Sequence, residues 1–256
     1  MKKTIILFLC IFLYANNATV IKNLIGNDKF TTYYELLKPV LNESSLKKTI
    51  SYLQNNGLLE IFLNKPVLIH PKFIFTDNTP VLDTKILYDT LNILGFYYFY
   101  PIQINKNNDF YSVTLEMKSS HYIDPLLFIT TLSQKNCNVT SVSKQDNYTY
   151  KINCKNAKLY SYTVKNKSVK LINAKGIYWI NPNGFSQISI NTSKFDNWYP
   201  YIVFYDKNLN ILNIISKKIA QKKIYLNIPK ECRYIKIMDN FSKKNFKRGI
   251  YIKGIK

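Results

Sequence analysis

The segment Cys137-Asn138-Val139-Thr140-Ser141-Val142-Ser143-Lys144-Gln145-Asp146-Asn147-Tyr148-Thr149-Tyr150-Lys151-Ile152-Asn153-Cys154 decides the fold class. Val139 to Ser143 and Tyr148 to Asn153 are rich in β-branched and aromatic residues. They flank a polar turn, Lys144 to Asn147. That pattern is a β-hairpin. The two cysteines are equidistant from the turn centre, so a regular antiparallel hairpin sets them face to face. Facing Cβ atoms lie roughly 4.5–5.5 Å apart, within adjustment of disulfide geometry. An oxidising compartment would then give a Cys137–Cys154 bridge. Cys232 is left over and is expected to be a small buried residue.

Working outward, the hairpin follows a helix pattern: Asp124-Pro125, then Leu127, Phe128 and Leu132, ending near Asn136. A similar unit precedes it. Asp83 leads Ile86, Leu87, Leu91 and Leu94, Gly95 stops the pattern, and strands Tyr97–Ile104 and Tyr111–Met117 follow. Asp83 and Asp124 are the expected N-caps, and Pro125 suits a first helical turn. The units match at an offset of 41 through the helix and 37 through the second strand, where Phe110–Leu115 lies over Asn147–Ile152. A weaker copy starts at Ser45, with Leu46, Ile50, Leu53 and Gly57. Helix–hairpin units cannot bury a helix face alone and must share a sheet. With Lys72–Thr76 as leading strand, the order is β-α-β-β-α-β plus one strand, a split β-α-β, ferredoxin-like order. A helical stretch, roughly Lys29–Asn55, precedes it.

Beyond residue 164 the pattern changes to all-β. Candidate strands are Ser168–Ala174, Ile177–Ile180, Ser186–Asn191, Tyr201–Tyr205, Ile211–Ser216, Lys223–Ile228, Tyr234–Met238 and Gly249–Ile255. Ile188 and Ile190, then Ile224, Leu226 and Ile228, alternate with polar residues, which buries one face of each strand. Short strands at regular spacing indicate a sandwich of jelly-roll type. The chain is thus expected to be α+β, with an α+β domain of helix–hairpin repeats over 19–160 and a basic β-sandwich over 165–256.

Charge is concentrated in the second half. Residues 165–256 carry 19 Lys and Arg against four acids, of a whole-chain net charge of +21. Lys217, Lys218, Lys222 and Lys223 form one cluster. Lys243, Lys244, Lys247 and Arg248 head another. Fields of this kind attract anionic polymers. Only Arg233 and Arg248 can offer a guanidinium fork, so contact with an anion would be mostly point-charge, and nucleic acid is not an expected partner. Trp179 and Trp198, near several tyrosines, are candidate stacking residues for a glycan. The aromatic run Phe96-Tyr97-Tyr98-Phe99-Tyr100 is a candidate contact surface.

Met1-Lys2-Lys3, the apolar run Ile5 to Leu13, and the small residues Ala15 and Ala18 have the form of a secretory signal over residues 1–18. Export to a bacterial periplasm follows, with no membrane-spanning helix once the signal is removed. Hydrophobic residues make up 46% of the chain, enough to build cores rather than leave disorder. His70 and His121 fit no metal-ligand spacing. Neither a phosphate-cradling glycine loop nor a Gly-x-Ser-x-Gly elbow occurs. The expectation is a non-enzymatic structural or adaptor protein of the cell envelope, without cofactor or metal, in a machine such as a flagellar motor or secretion apparatus. Its partners would be envelope proteins, with peptidoglycan, anionic lipid or polysaccharide at the basic face. The alternative is a peptidoglycan- or glycan-binding protein with Trp179 and Trp198 at its site.

Overall fold

A computed structural model describes residues 17–255. Residues 1–16, which hold most of the expected signal, lie outside the described residues. The chain divides into two compact units between Lys158 and Leu159. Helices and mixed sheets make up the first, and two antiparallel-rich sheets the second, so the protein is α+β.

The first unit opens with short helices: α1 over residues 17–25, α2 Asn27–Thr32, α3 Tyr34–Leu41 and α4 Leu46–Asn55. Ser45 caps α4 by accepting from the Lys48 amide. Next come β1 Phe62–Ile69, β2 Lys72–Phe75, α5 Pro80–Ile93, β3 Tyr100–Lys106 and β4 Tyr111–His121. The unit closes with α6 Pro125–Ser133, β5 Asn138–Lys144 and β6 Tyr148–Asn153. β1 and β2 run along the same side of β4, broken at His70-Pro71. Leu115 N donating to Pro71 O carries the ladder across the break.

β2 lies between two helix–hairpin units. On one side it pairs with β4 antiparallel, and β3 lies beyond β4. On the other it pairs with β6 parallel, and β5 lies beyond β6. Phe73 sits opposite Val113 on one side and Tyr150 on the other. Those two residues differ by the offset of 37 read from the sequence. Because β4 and β6 run in opposite directions on the two sides of β2, the two hairpins are related by a half-turn about an axis normal to the sheet at β2 rather than by a shift.

One face of this sheet is apolar. Phe73, Phe75, Val113, Leu115, Tyr150 and Ile152 alternate inward and are buried, as period-two strands require. Helix α6 meets them through Phe128, whose ring is 5.5 Å from Phe73 and 4.5 Å from Tyr150. Ile86, Leu87 and Leu91 on one stripe of α5 are fully buried. Each such side chain contributes about 1.5–3 kcal/mol of transfer free energy.

Asp124 caps α6 by accepting from Leu126 N and Leu127 N, with Pro125 in the first turn. The expectation for Asp83 is corrected: α5 starts at Pro80 behind Thr79, and Asp83 lies inside the first turn. Its carboxylate accepts from the Thr79 amide at 3.0 Å and the Thr79 hydroxyl at 3.0 Å. That hydroxyl is also 3.2 Å from Asp77 Oδ2, and its single proton serves only one carboxylate at a time. Burial, then the charge of Asp77, pushes the Asp83 carboxyl up from 3.8 to about 7. Between those values the folded chain holds a proton that the unfolded chain has released. Stability therefore falls as pH rises from about 4 to about 7. Asp83→Asn should remove that component of the fall. Urea titrations of both proteins across this range would show it, and identical slopes would refute the assignment.

The second unit holds β7 Tyr162–Thr163, β8 Val169–Leu171, β9 Tyr178–Asn181, β10 Gln187–Thr192 and β11 Pro200–Tyr205. After these come β12 Ile211–Ser216, β13 Lys223–Asn227, β14 Tyr234–Asp239 and β15 Ile250–Ile255. One sheet has the order β13-β10-β15-β8, the other β12-β11-β14-β9-β7. Their inner faces share a core that includes Ile188, Ile190, Leu226, Ile250 and Ile252 from the first. Tyr178, Ile180, Ile202, Phe204, Ile235 and Ile237 come from the second. This is a β-sandwich, and the strands read from periodicity fall on β8 to β15.

Candidate functional site

Four connections of the sandwich gather at one end: residues 172–177, 193–199, 217–222 and 240–249. Named contacts tie them together. Trp198 and Gln221 form an isolated antiparallel bridge. Lys222 Nζ donates to Lys194 O at 2.9 Å and also to Asp196 O. Arg248 Nη1 donates to Phe195 O at 3.3 Å, and Asn240 Nδ2 to Lys217 O at 2.9 Å. The 172–177 loop approaches the last one so closely that a Cβ on Gly176 would lie 2.6 Å from Lys243 Cβ. A Cβ on Gly249, whose φ is +91°, would lie 2.3 Å from Leu171 O. Both positions hold only glycine without a shift of backbone.

The two acids nearest this end serve its architecture. Asp239 Oδ1 accepts from Phe241 N, Ser242 N and Asn245 Nδ2 at 2.8–2.9 Å. Its Oδ2 accepts from Tyr199 N at 2.7 Å. Asp196 is buried and its Oδ1 accepts from Arg248 at 2.7 Å. Nine basic residues lie on the four loops against one acid, Asp196. Among the described residues, Arg248 is the loop-end cation that forms an ion pair.

The two lysine clusters, distant in sequence, therefore meet. Lys217, Lys218, Lys243, Lys244 and Lys247 are exposed on adjoining loops. Lys222 differs, because its ammonium clasps the 193–199 loop. Lys223 projects from the outer face of β13 and lies 4.7 Å from the Tyr225 ring centre. On that same outer face, Lys223, Asn191, Tyr251 and Lys170 stand in one cross-strand row.

Beside the row opens a cleft of about 560 Å³, lined by Lys170, Lys194, Phe195, Lys247, Arg248 and Tyr251 with smaller neighbours. Lys194 and Arg248 lie 5.0 and 5.6 Å from the Phe195 ring centre, and Lys170 5.7 Å from that of Tyr251. Sequence reading missed Lys170, Lys194 and the exposed Phe195. The available signal was a large apolar residue isolated in a lysine-rich turn, as in Lys194-Phe195-Asp196.

The tryptophans do not share a surface. Trp198 is fully buried, stacks on Phe246 at 6.0 Å and donates through Nε1 to Met238 O at 2.8 Å. It has no exposed face for a sugar. Trp179 is half-buried on the outside of the five-stranded sheet, 5.5 Å from Tyr205 with Lys236 over its ring.

Elsewhere, Cys137 and Cys154 form the disulfide, with Cα atoms 4.4 Å apart. Cys232 is partly buried, and its Sγ donates to Tyr234 O at 3.4 Å. Burial pushes its thiol up to about 11, so little thiolate exists near neutral pH. Its reaction with a disulfide reagent at pH 8 should be about a hundredfold slower than that of the urea-unfolded chain. Equal rates would contradict this environment. His70 Nε2 is 2.8 Å from Glu116 Oε2, and Tyr100 OH donates to Glu116 Oε1. His121 packs edge-on against Phe96. Among the described residues, no group of three or more His, Cys, Asp or Glu side chains could hold a metal ion. No described helix is long and apolar enough to cross a membrane.

The run Phe96 to Tyr100 leads into β3, which among the described residues pairs with β4 alone and is exposed along its whole length. Tyr97, Tyr98, Tyr100, Ile102 and Ile104 are each about half exposed or more. Comparison of the chain with protein-family models, with curated proteins and with solved structures found no match.

Proposed function

We propose that this protein is a non-enzymatic adaptor of the bacterial cell envelope, exported to the periplasm, whose sandwich engages an anionic partner. The observation that carries the reading is the gathering of two sequence-distant lysine clusters at one end, with both nearby acids turned inward. Point charges on lysine stems suit a diffuse anionic surface better than a single phosphate held by a fork. The exposed β3 edge supports protein contacts by strand addition, since its outer backbone groups are a template for pairing. A machine such as a flagellar motor or secretion apparatus would supply such partners.

At the level of fold, the sandwich is read as a jelly roll. Numbering β8 to β15 from one to eight, its sheets have the orders 6-3-8-1 and 5-4-7-2. The first unit is read as a ferredoxin-like β-α-β-β-α-β module of β2, α5, β3, β4, α6 and β6, with β5 as the extra strand. A second functional reading, a glycan- or peptidoglycan-binding protein, is favoured by the aromatic, cationic cleft at Phe195 and Tyr251 rather than by the tryptophans.

The test is cross-linking of the tagged full-length protein in native cells. The parent would be compared with a variant carrying Lys217→Gln, Lys218→Gln, Lys243→Gln and Lys244→Gln. Recovery of components of one envelope machine, with part of that set lost in the variant, is expected. Cross-linking to sacculus alone would favour the glycan reading, and identical products from both proteins would remove the role of the basic end.

A further inference from the structure

We propose that the loop end of the sandwich docks on a bilayer surface containing anionic lipid, with Ile172, Phe195, Ile219 and Phe241 entering the headgroup–acyl boundary. The proposal rests on the reading that this basic end meets an anionic partner, and it names that partner. Each of the four loops presents one large apolar side chain to solvent. Ile172 is 70% exposed, Phe195 69%, Ile219 76% and Phe241 64%. No other position on these loops exposes a large apolar residue.

The opposite end of the sandwich provides an internal control. Its connections, residues 164–168, 182–186, 206–210 and 228–233, expose no large apolar side chain. They hold five basic residues and two acids. The exposed apolar tips occur at one end only, and they coincide with the larger positive excess, nine basic residues to one acid against five to two. A single exposed apolar residue is ordinary. Four, one per loop, make an array: three of the loops are tied to each other by Lys222, Arg248, Asp239 and the Trp198–Gln221 bridge, and the 172–177 loop packs through Gly176 against Lys243.

A bilayer interface matches both components. Its phosphates attract lysines, each of which adds to binding within a Debye length of the surface. Just beneath lies apolar chain that accepts a phenyl or sec-butyl group, while long lysine stems keep their ammonium groups in water. A glycan fits less well, because Ile172 and Ile219 offer no ring to stack. An acidic protein would satisfy the charge but leave four separated apolar tips needing four matched hollows.

The experiment uses the full mature chain and two kinds of vesicle, phosphatidylcholine alone and phosphatidylcholine mixed with phosphatidylglycerol. Co-sedimentation is expected with the anionic vesicles only and should weaken with salt. Replacing the four tips by serine, with every charge kept, should weaken it at least about tenfold, as should replacing Lys217, Lys218, Lys243 and Lys244 by glutamine. All eight positions are exposed, and near-UV circular dichroism would verify that each variant folds.

A Phe195→Trp variant reports insertion independently of affinity. Brominated lipid should quench its new fluorescence beyond that of the parent, whose Trp198 is buried and whose Trp179 lies half-buried on the outer face of the five-stranded sheet, away from the four loops. Unchanged vesicle binding by the serine variant, or no added quenching in Phe195→Trp, overturns insertion. Binding to purified sacculi or polygalacturonate without binding to anionic vesicles overturns the lipid assignment and leaves the anionic-partner reading standing. Binding to none of these removes both.

Discussion

Trp198→Ala should lower the stability of the sandwich by about 4 kcal/mol, a typical cost for truncating a buried tryptophan. Two losses combine. The indole is fully buried beside Phe246, so its removal opens a cavity between the sheets that the β ladders cannot readily close. Its Nε1–H also satisfies Met238 O, which would be left without that donor. Met238 lies on β14, which pairs with β11 and β9, so damage there spreads through the five-stranded sheet. Trp179→Ala, at a half-buried position on the outer face, should cost about 1 kcal/mol. Urea unfolding followed by circular dichroism gives both values. Comparable small losses in the two variants would contradict the core as described.

Removing the disulfide should have the next largest effect. The bridge joins residues 17 apart in sequence. Closing a loop of that size in the unfolded chain is worth about 3 kcal/mol in the chain-entropy account. The serine double variant, Cys137→Ser with Cys154→Ser, should therefore unfold at lower urea, with the loss confined to the first unit. Removing both cysteines avoids leaving one free thiol to form mixed disulfides. An unchanged midpoint would mean that the hairpin is held by its strand pairing alone.

The cysteine pairing was legible because hairpin register is a counting problem. The counting succeeded by compensation. The turn has three residues, Gln145 to Asn147, between the paired Lys144 and Tyr148, and a bulge between Val139 and Ser141 restores the register at Asn138 and Asn153. Strands β8 to β15 were legible because one face of each is buried and alternation records that. β1 was missed, since exposed residues fill most of it and leave no alternation to find. The start of α5 was misplaced because Asp83, a good cap by type, lies within the first turn, while Thr79-Pro80 is the true start.

The site was half legible. The lysine clusters could be read because charge survives any fold. That they converge could not, since it depends on which strand ends share one side of the sandwich. The apolar tips were hidden for a related reason. Ile219 in Lys217-Lys218-Ile219-Ala220 resembles any strand residue until its solvent exposure is known.

The arrangement around β2 also fixes an order of events. This four-residue strand precedes both of its neighbours in the chain, and its parallel partner β6 pairs Phe73 with Tyr150. A chain emerging N-terminus first thus presents β2 long before either flank exists. The antiparallel side can close once residue 121 has emerged, whereas the parallel side must wait for residue 153. Non-local pairing of that kind is slow, and a bare central strand bearing Phe73 and Phe75 is a target for the wrong edge. In the folded unit the cysteine-clasped hairpin, built from local contacts, covers the second edge of this strand.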